Sequence, residues 1–471
     1  MKCPAPCAIL YDDYSVIKEE LPMNRNLPSG AVVRYRPPEP QVPFALPEVE
    51  HAVLWAESGS LQQDSAIPFS GHVTPHSAHD FQLSSPQEAL NAMVIRKQEF
   101  SIANADICLS GCGCSDFTCK GAGVLADQHS DVVIEDSHIE THGCARAATT
   151  TAGGSTLRVY RSTLDTTGGP LPPDYTPVIG PGMMEPPAPL GLGGNCRTHL
   201  SMDNSETFFY DCHIKATAWA ALSTDASGGY VYLEANHSRI DVSDNGYCVY
   251  SDNGCHVKLK DCAMTSGNMA VIQDGNSSVV LENSTAVCQG IGFLLHGGMP
   301  EGKDTGLIRL QGGSLESKLE MFRCKSTNVD IYVDRTALSA ENGILLRTMV
   351  SDDPFYYKTR SQGKDLYGVQ ITLDSVDTVG DMVRDDLERT LRISLDNASL
   401  TGAILGGADL YLYGTSRWFA SKNSTVTLHT QELQGIDAPA GVQITAIAGP
   451  GTDLAGVFPL PSGGVLSVAQ P

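Results

Sequence analysis

One short pattern is written four times between residues 218 and 298, as AWAALSTD, GYCVYSDN, NMAVIQDG and GIGFLLHG, with alternating runs such as YVYLEANHSRI, HVKLKDCAM and SVVLENSTA following the copies. The copies recur about every 22 to 28 residues, which is the length of one solenoid coil and far too short for a globular domain. A coil packs only on its neighbours, so 471 residues can form one continuous body and length is a poor guide to domain number here.

The alternating runs extend well beyond the four copies. They include VVIEDSHI, LRVYRSTL, FFYDCHI, VYLEANHSRI, VKLKDCAM, VVLENSTA, LIRLQGGSL, VDIYVDRTAL, VQITLDSV and LRISLDNASL, between about residue 100 and residue 400. Strict apolar/polar alternation is the signature of a half-buried strand. Ser137, Ser162, Cys212, Ser238, Cys262 and Ser284 share one position in this pattern, so small residues are expected to stack from coil to coil and hold the register. Residues 1–50 hold nine prolines and little periodicity, which reads as an extended, wrapping segment. SSPQEALNAMVIRKQ, from Ser84, carries Ser at a cap position, an early Pro and a Glu in the first turns, and predicts a helix that closes the open end of the first coil. The expected order is an all-β chain with a wrapping segment and cap over 1–100, a parallel β-helix over 101–435, and a closing coil over 436–471.

These coils resemble the right-handed parallel β-helix of the pectate-lyase-like superfamily, and the stretch LRISLDNASLTGAILGGADLYLYGTSRWF is also similar to the coils of autotransporter passengers. The resemblance rests on period and pattern over about residues 100–435 and implies a fold more than an activity. The polygalacturonate hydrolases of that architecture carry NTD, DD, GHG and RIK. Here only STD at Ser223, SDD at Ser351 and HGG at His296 occur, and the WIDH and DPHD motifs of related lyases and epimerases are missing.

Two insertions break the period, and long loops on a rigid scaffold tend to carry function. Residues 168–197 contain eight prolines and two methionines, a stiff and partly apolar stretch suited to covering something. Residues 351–365 offer Tyr356, Tyr357 and Lys358 as groove-lining, substrate-binding groups.

Superposing the four copies puts Asp225, Asp252, Asp274 and His296 at one place on successive coils, with Arg323 and Arg347 following within about a residue of alignment. Parallel neighbours stack about 4.8 Å apart, so these side chains would form a row. Two carboxylates that close offer an acid and base pair or, equally, a calcium-type oxygen site. On the catalytic reading Asp225 and Asp252 are base and acid, His296 a proton shuttle, Arg323 or Arg347 a clamp on a carboxylate or enolate, and Asp274 a binding group. The structural alternative is that Asp ends each strand because it suits the following turn. Trp219, Tyr247 and Tyr250 lie beside the row and could stack on a ring, although the alternation of AWAAL equally makes Trp219 a core residue.

The stretch CLSGCGCSDFTC, with Cys108, Cys112, Cys114 and Cys119, lacks the paired CxxC of a zinc ribbon, and His129, His138, His142 and Cys144 follow it. A reduced, structural group is the expectation, with no metal assigned. No cofactor is expected apart from a Ca²⁺ option at the acidic row. The net charge of -23 argues against nucleic acid, which needs clustered cations. No run of 18 apolar residues predicts a membrane span, and the N-terminus lacks the apolar stretch of a signal peptide, which makes a cytoplasmic location the expectation. The expected ligand is a small molecule or carbohydrate, and exposed solenoid faces leave a homodimer open. Three functional classes follow: a lyase, isomerase or hydrolase acting on a sugar-like substrate in a groove, an intracellular small-molecule cyclase or isomerase lidded by residues 168–197, and a non-catalytic glycan-binding β-helix.

Overall fold

The computed structural model describes residues 51–113, 121–169, 196–225, 230–297, 305–352, 368–430 and 432–471, in two compact units divided between Ile272 and Gln273. Both units are all-β and built from parallel coils, as the repeat requires. Among the described residues no helix occurs, and none is long and apolar enough to cross a membrane.

In the first unit a typical coil has three strands, for example Val231–Asn236, Arg239–Val242 and Gly246–Ser251. Each pairs in parallel with its counterpart one coil away. The first two strands of a coil alternate strictly, with inward Val132, Ile134, Ile139, Leu157, Val159, Leu164 and Phe209 at 0 % exposure, and each such apolar side chain contributes roughly 1.5–3 kcal/mol. The third strand behaves differently. Arg146–Thr151, Cys196–Met202 and Trp219–Asp225 are buried at every position, so the sheet they form is covered on its outer face as well as its inner one. That is why the four copies read as near-continuous runs of small and apolar residues and not as alternation. The second unit repeats the scheme, with Phe293–His296, Phe322–Lys325, Ile344–Met349, Asp381–Arg384 and Ile404–Leu405 paired in parallel as its third strands, with a register shift between Ile344 and Leu346.

The small-residue ladder is present and is a hydrogen-bond relay. Ser137 Oγ accepts from the Ala105 N–H (3.0 Å) and donates to Glu135 O (2.7 Å). Ser162 Oγ accepts from the Ser137 N–H (3.0 Å) and donates to Tyr160 O (2.7 Å), and Ser238 accepts from the Cys212 N–H in the same way. A hydroxyl at this inward corner satisfies one turn of its own coil and one of its neighbour. The residue just before each rung takes the left-handed conformation: Asn104, Asp136, Arg161, Asp211, His237 and Asp261 in the first unit, and Asn283, Arg335, Ser375 and Asn397 in the second, all at φ of 46–55°. Asn and Asp tolerate this region through local hydrogen bonds, whereas Arg and His do so at a cost. Replacing exposed His237 (φ 50°) by Gly is expected to raise unfolding free energy in urea by about 0.5–1 kcal/mol, and His237→Val to lower it by at least about 1 kcal/mol.

The helix expected from Ser84 does not form. Ser85 Oγ does accept from the Gln87 N–H (3.3 Å), but the turn then passes through Ala89 at φ 55° and enters the strand Leu90–Arg96, six of whose seven residues are buried. A helix would have exposed one side of LNAMVIR, and a doubly covered strand buries both. The edge is closed by antiparallel hairpins instead: Ser60–Gln63 on His51–Glu57, and Ser70–Thr74 on Ser77–Ser85. Parallel stacking also starts before residue 100, since His51–Glu57 already pairs with Leu90–Arg96. At the C-terminal end Val465–Ala469 pairs in parallel with Gln443–Ala448, and Gly456–Pro459 covers it antiparallel. Residues 1–50, most of the insertion 168–197, and Tyr356, Tyr357 and Lys358 lie outside the described residues.

Candidate functional site

The outer face of the covered sheet in the first unit changes character along its length. In-register pairing sets out the row Trp55, Val94, Leu125, Thr150, Leu200, Ser223, Tyr250. Its first part packs as an apolar cluster of Val94, Ala122, Leu125, Ala147, Leu200 and Met202. The next row leads from Met202 to Asp225. Because Ser223 pairs with Tyr250, Asp225 falls opposite Asp252 two residues further on, on backbones about 4.8 Å apart. The apolar patch therefore ends at two carboxylates on consecutive coils, as the superposed repeats predicted.

Beside them the expected aromatics do come together. Trp219 and Tyr247 have ring centroids 6.0 Å apart, Tyr247 and Tyr250 5.8 Å. Tyr247 Oη lies 3.2 Å from Ser223 Oγ, and Tyr250 donates to Asp252 Oδ1 at 3.4 Å. The Asp252 N–H donates to Thr224 Oγ1 (3.0 Å), which donates to Tyr250 O, so the turn carrying Asp252 is tied to the coil carrying Asp225. Trp219 is at φ 76°, a left-handed conformation that costs a bulky side chain about 1–3 kcal/mol. It is held there by its surroundings: a Cβ on Gly246 would come within 2.4 Å of Trp219 O, so only glycine lets the two backbones pass. The Arg197 guanidinium stacks on the indole at 4.7 Å, while the buried indole Nε1 has no hydrogen-bond partner among the described residues. Strain, a cation over the ring and an unanswered donor coincide at one residue. Trp219, Asp225 and Asp252 are all buried, at 2 %, 9 % and 7 % exposure, and Tyr250, which donates to Asp252, is part-exposed, so the approach to the carboxylates is past Tyr250.

In the second unit Asp274 and His296 also meet, with His296 Nδ1 3.3 Å from Asp274 Oδ1. His296 is fully buried, and burial together with the Lys325 ammonium pushes its pKa down to about 3, outweighing the nearby carboxylate. It is a neutral imidazole at ordinary pH. The arginines are not in its row: His296 pairs with Lys325, and Arg323 pairs with Leu294 and Arg347. The expected alignment is off by two residues, which keeps the same side of the strand but moves both guanidiniums one step along it. They are also engaged. Glu320, a residue the repeat alignment did not single out, accepts a hydrogen bond from Arg323 Nη2 (2.6 Å) and lies 3.2 Å from Arg347 Nε as an ion pair, and Arg347 Nη1 donates to Asp385 at 2.7 Å. Lys325 is paired with Asp352, whose carboxyl it holds below the usual range.

The sequence matches no protein-family model, and no curated protein matches it. The chemistry is therefore argued from the two arrangements themselves. The first has an apolar floor, three aromatic rings and two carboxylates with residual access. The second is a set of ion pairs around a buried neutral histidine.

Arg197 and Ser223 were not singled out by the sequence pattern. A signal was present for Arg197, which ends the proline-rich insertion and opens a strand, where a cation is conspicuous among small and apolar residues.

Proposed function

We propose that the protein is an enzyme performing acid/base chemistry, of the lyase or isomerase type, on a small ring-containing, hydroxylated molecule held at the outer face of the first unit. The observation that carries this reading is the placing of Asp225 and Asp252 on consecutive coils at the end of an apolar row. Two carboxylates on neighbouring coils can serve as an acid and a base, the requirement for moving a proton between two positions of one substrate. Tyr250, part-exposed, supplies a ring face and a hydroxyl for orientation, and the buried Tyr247 and Trp219 hold it in place from behind. Only one of the three rings, Tyr250, keeps access, which suits a small molecule better than a polymer lying along a row of exposed aromatics. Roles for Asp274 as binder and His296 as shuttle, and for Arg323 and Arg347 as clamps, are not part of this proposal, because His296 is buried and both arginines are engaged by carboxylates.

The test is to incubate the protein with a metabolite extract and follow substrate loss and product gain by mass spectrometry. Asp225→Asn and Asp252→Asn are each expected to lower turnover by roughly 10²-fold or more with thermal unfolding nearly unchanged. Wild-type rates in both variants would overturn the assignment.

A second reading, non-catalytic glycan binding, is favoured by a different observation. On the other sheet of the first unit Tyr160 and Tyr210 stack at 4.9 Å, and Phe208 and Tyr232 lie at 5.8 Å, all part-exposed. Retention on immobilised polysaccharide, without turnover of any extract component, would favour it.

A further inference from the structure

The first coils bring together a thiol, a carboxylate and an imidazole that the acid/base site does not use. The strand Asp106–Ser110 pairs in parallel with His138–His142, and the register sets Cys108 directly opposite Glu140 and Ser110 opposite His142. Side chains two apart on a strand share a face, so His142 stands beside Glu140 on the same side as Cys108. The Cys108 Sγ, one Glu140 carboxylate oxygen and one His142 ring nitrogen all lie within 4.8 Å of one another, and His142 Nε2 is already 2.9 Å from Glu140 Oε1. All three residues are part-exposed, so an ion has a path in.

We infer that Cys108, Glu140 and His142 form a binding site for one zinc-like divalent cation, with a fourth coordination position left to water. The donor set is one soft sulfur, one borderline nitrogen and one hard oxygen, which suits Zn²⁺ and its neighbours in the first transition row and does not suit Ca²⁺ or Mg²⁺, both of which take oxygen. Zinc bonds of about 2.0–2.3 Å place tetrahedral donors about 3.3–3.7 Å apart. Closure on the ion therefore asks these side chains to contract by only about 1 Å, within the reach of a rotamer adjustment on a rigid pair of strands. The surroundings are electronegative: burial and the Glu140 and Asp106 carboxylates push the Cys108 thiol up, against a hydrogen bond from Ser84, and a bound cation reverses that balance. His138, 3.6 Å from Asp106, lies on the same pair of strands. The cysteine-rich stretch and the following His142 pointed toward this place, but Glu140 was not among the residues named. Cys112 faces Cys144 at 3.0 Å, and the residue that completes the donor set with Cys108 is Glu140, a type common enough in this acidic chain to pass unnoticed.

The experiment uses the full, untagged chain under reducing conditions and titrates it with Co²⁺ alone, then with Zn²⁺ as competitor. One Co²⁺ per chain is expected, with tetrahedral ligand-field bands and a thiolate-to-cobalt charge-transfer band, displaced stoichiometrically by Zn²⁺. Cys108→Ala is expected to abolish the charge-transfer band, and Glu140→Gln and His142→Ala to weaken Zn²⁺ at least about tenfold. Cys112→Ala should bind as wild type does. The inference is overturned if the wild type gives no charge-transfer band, if the band survives Cys108→Ala, or if Cys112→Ala removes it. Should Cys108→Ala fail to fold, His142→Ala at its part-exposed position decides: unchanged zinc affinity there also overturns the site.

Discussion

Arg146→Leu is expected to lower the stability of the first unit by about 4 kcal/mol, a fall of roughly 10 °C in the midpoint of its thermal unfolding. Arg146 is 0 % exposed and spends its guanidinium on backbone carbonyls. Nε donates to Gly111 O, Nη1 to Leu90 O (3.0 Å) and Gly121 O (2.6 Å), and Nη2 to Gln87 O (2.8 Å) and Ser110 O (3.3 Å). Those carbonyls belong to three separate stretches of chain near the N-terminal edge, so one side chain ties the turn before Leu90–Arg96 to the end of Asp106–Ser110 and to Gly121. Leucine would fill much of the volume yet leave these oxygens buried without their donors, at about 1–3 kcal/mol each for the ones that cannot relax. Arg146→Lys is expected to fall between the two, because an ammonium cannot reproduce the planar fork. A urea series monitored by circular dichroism measures the effect, and a loss below about 1 kcal/mol for Arg146→Leu would show that the carbonyls find other partners.

Acidification from pH 6.5 to 4.5 is expected to cost about 2 kcal/mol of stability for each of two buried histidines, His199 and His296. Burial lowers the His199 pKa from 6.5 to about 3, and His296 is lowered from 6.5 to about 3 by burial and Lys325. In each case the folded pKa lies below the unfolded one. Between them the unfolded chain binds a proton that the folded chain refuses, so stability is fully present well above pH 6.5 and falls by up to one proton's worth of slope per histidine as pH drops toward 3. The two sit in different units, so each unit carries its own acid sensitivity. His199 is neutral for a structural purpose: it lies 2.9 Å from Thr149 Oγ1 and 2.7 Å from Ser201 Oγ, and Ser201 continues to Thr207 (2.8 Å) and Thr207 to Thr151 (3.0 Å), a closed polar chain inside the coils. His199→Gln and His296→Gln should each be less stable at pH 7.5 but lose about one proton's slope between pH 6.5 and 4.5. Unfolding measured at several pH values decides it, and wild-type slopes in both variants would rule the mechanism out.

Much of the fold could be read from residues in order. The alternating strands, the coil period and the shared position of Ser137, Ser162 and Ser238 are all local patterns, and the parallel coils follow from them. The left-handed residue before each rung was also legible in principle, in the recurring Asp or Asn ahead of Ser or Cys, but Arg161 and His237 disguise it. The segment from Ser84 failed because its capping pattern was real while its burial was not local: six buried positions in Leu90–Arg96 depend on what covers both faces of a strand. The site divided in the same way. Asp225 and Asp252 were found because equal places in a repeat become neighbours in a parallel stack. Arg323 and Arg347 were misplaced by two residues because the period itself changes where coils differ in length.

The sequence by itself determined an all-β chain of stacked coils, since period and alternation are properties of neighbouring residues and of their fixed spacing along a strand. Only the tertiary structure decided that the repeated strands are covered on both faces, that His296 is sealed away, that Arg146 gathers carbonyls from three stretches of chain, and that Cys108 meets Glu140 and His142. Each of these depends on contacts across about 20 residues or more, where register, side-chain reach and burial are set by the whole packing and leave no periodic trace in the chain.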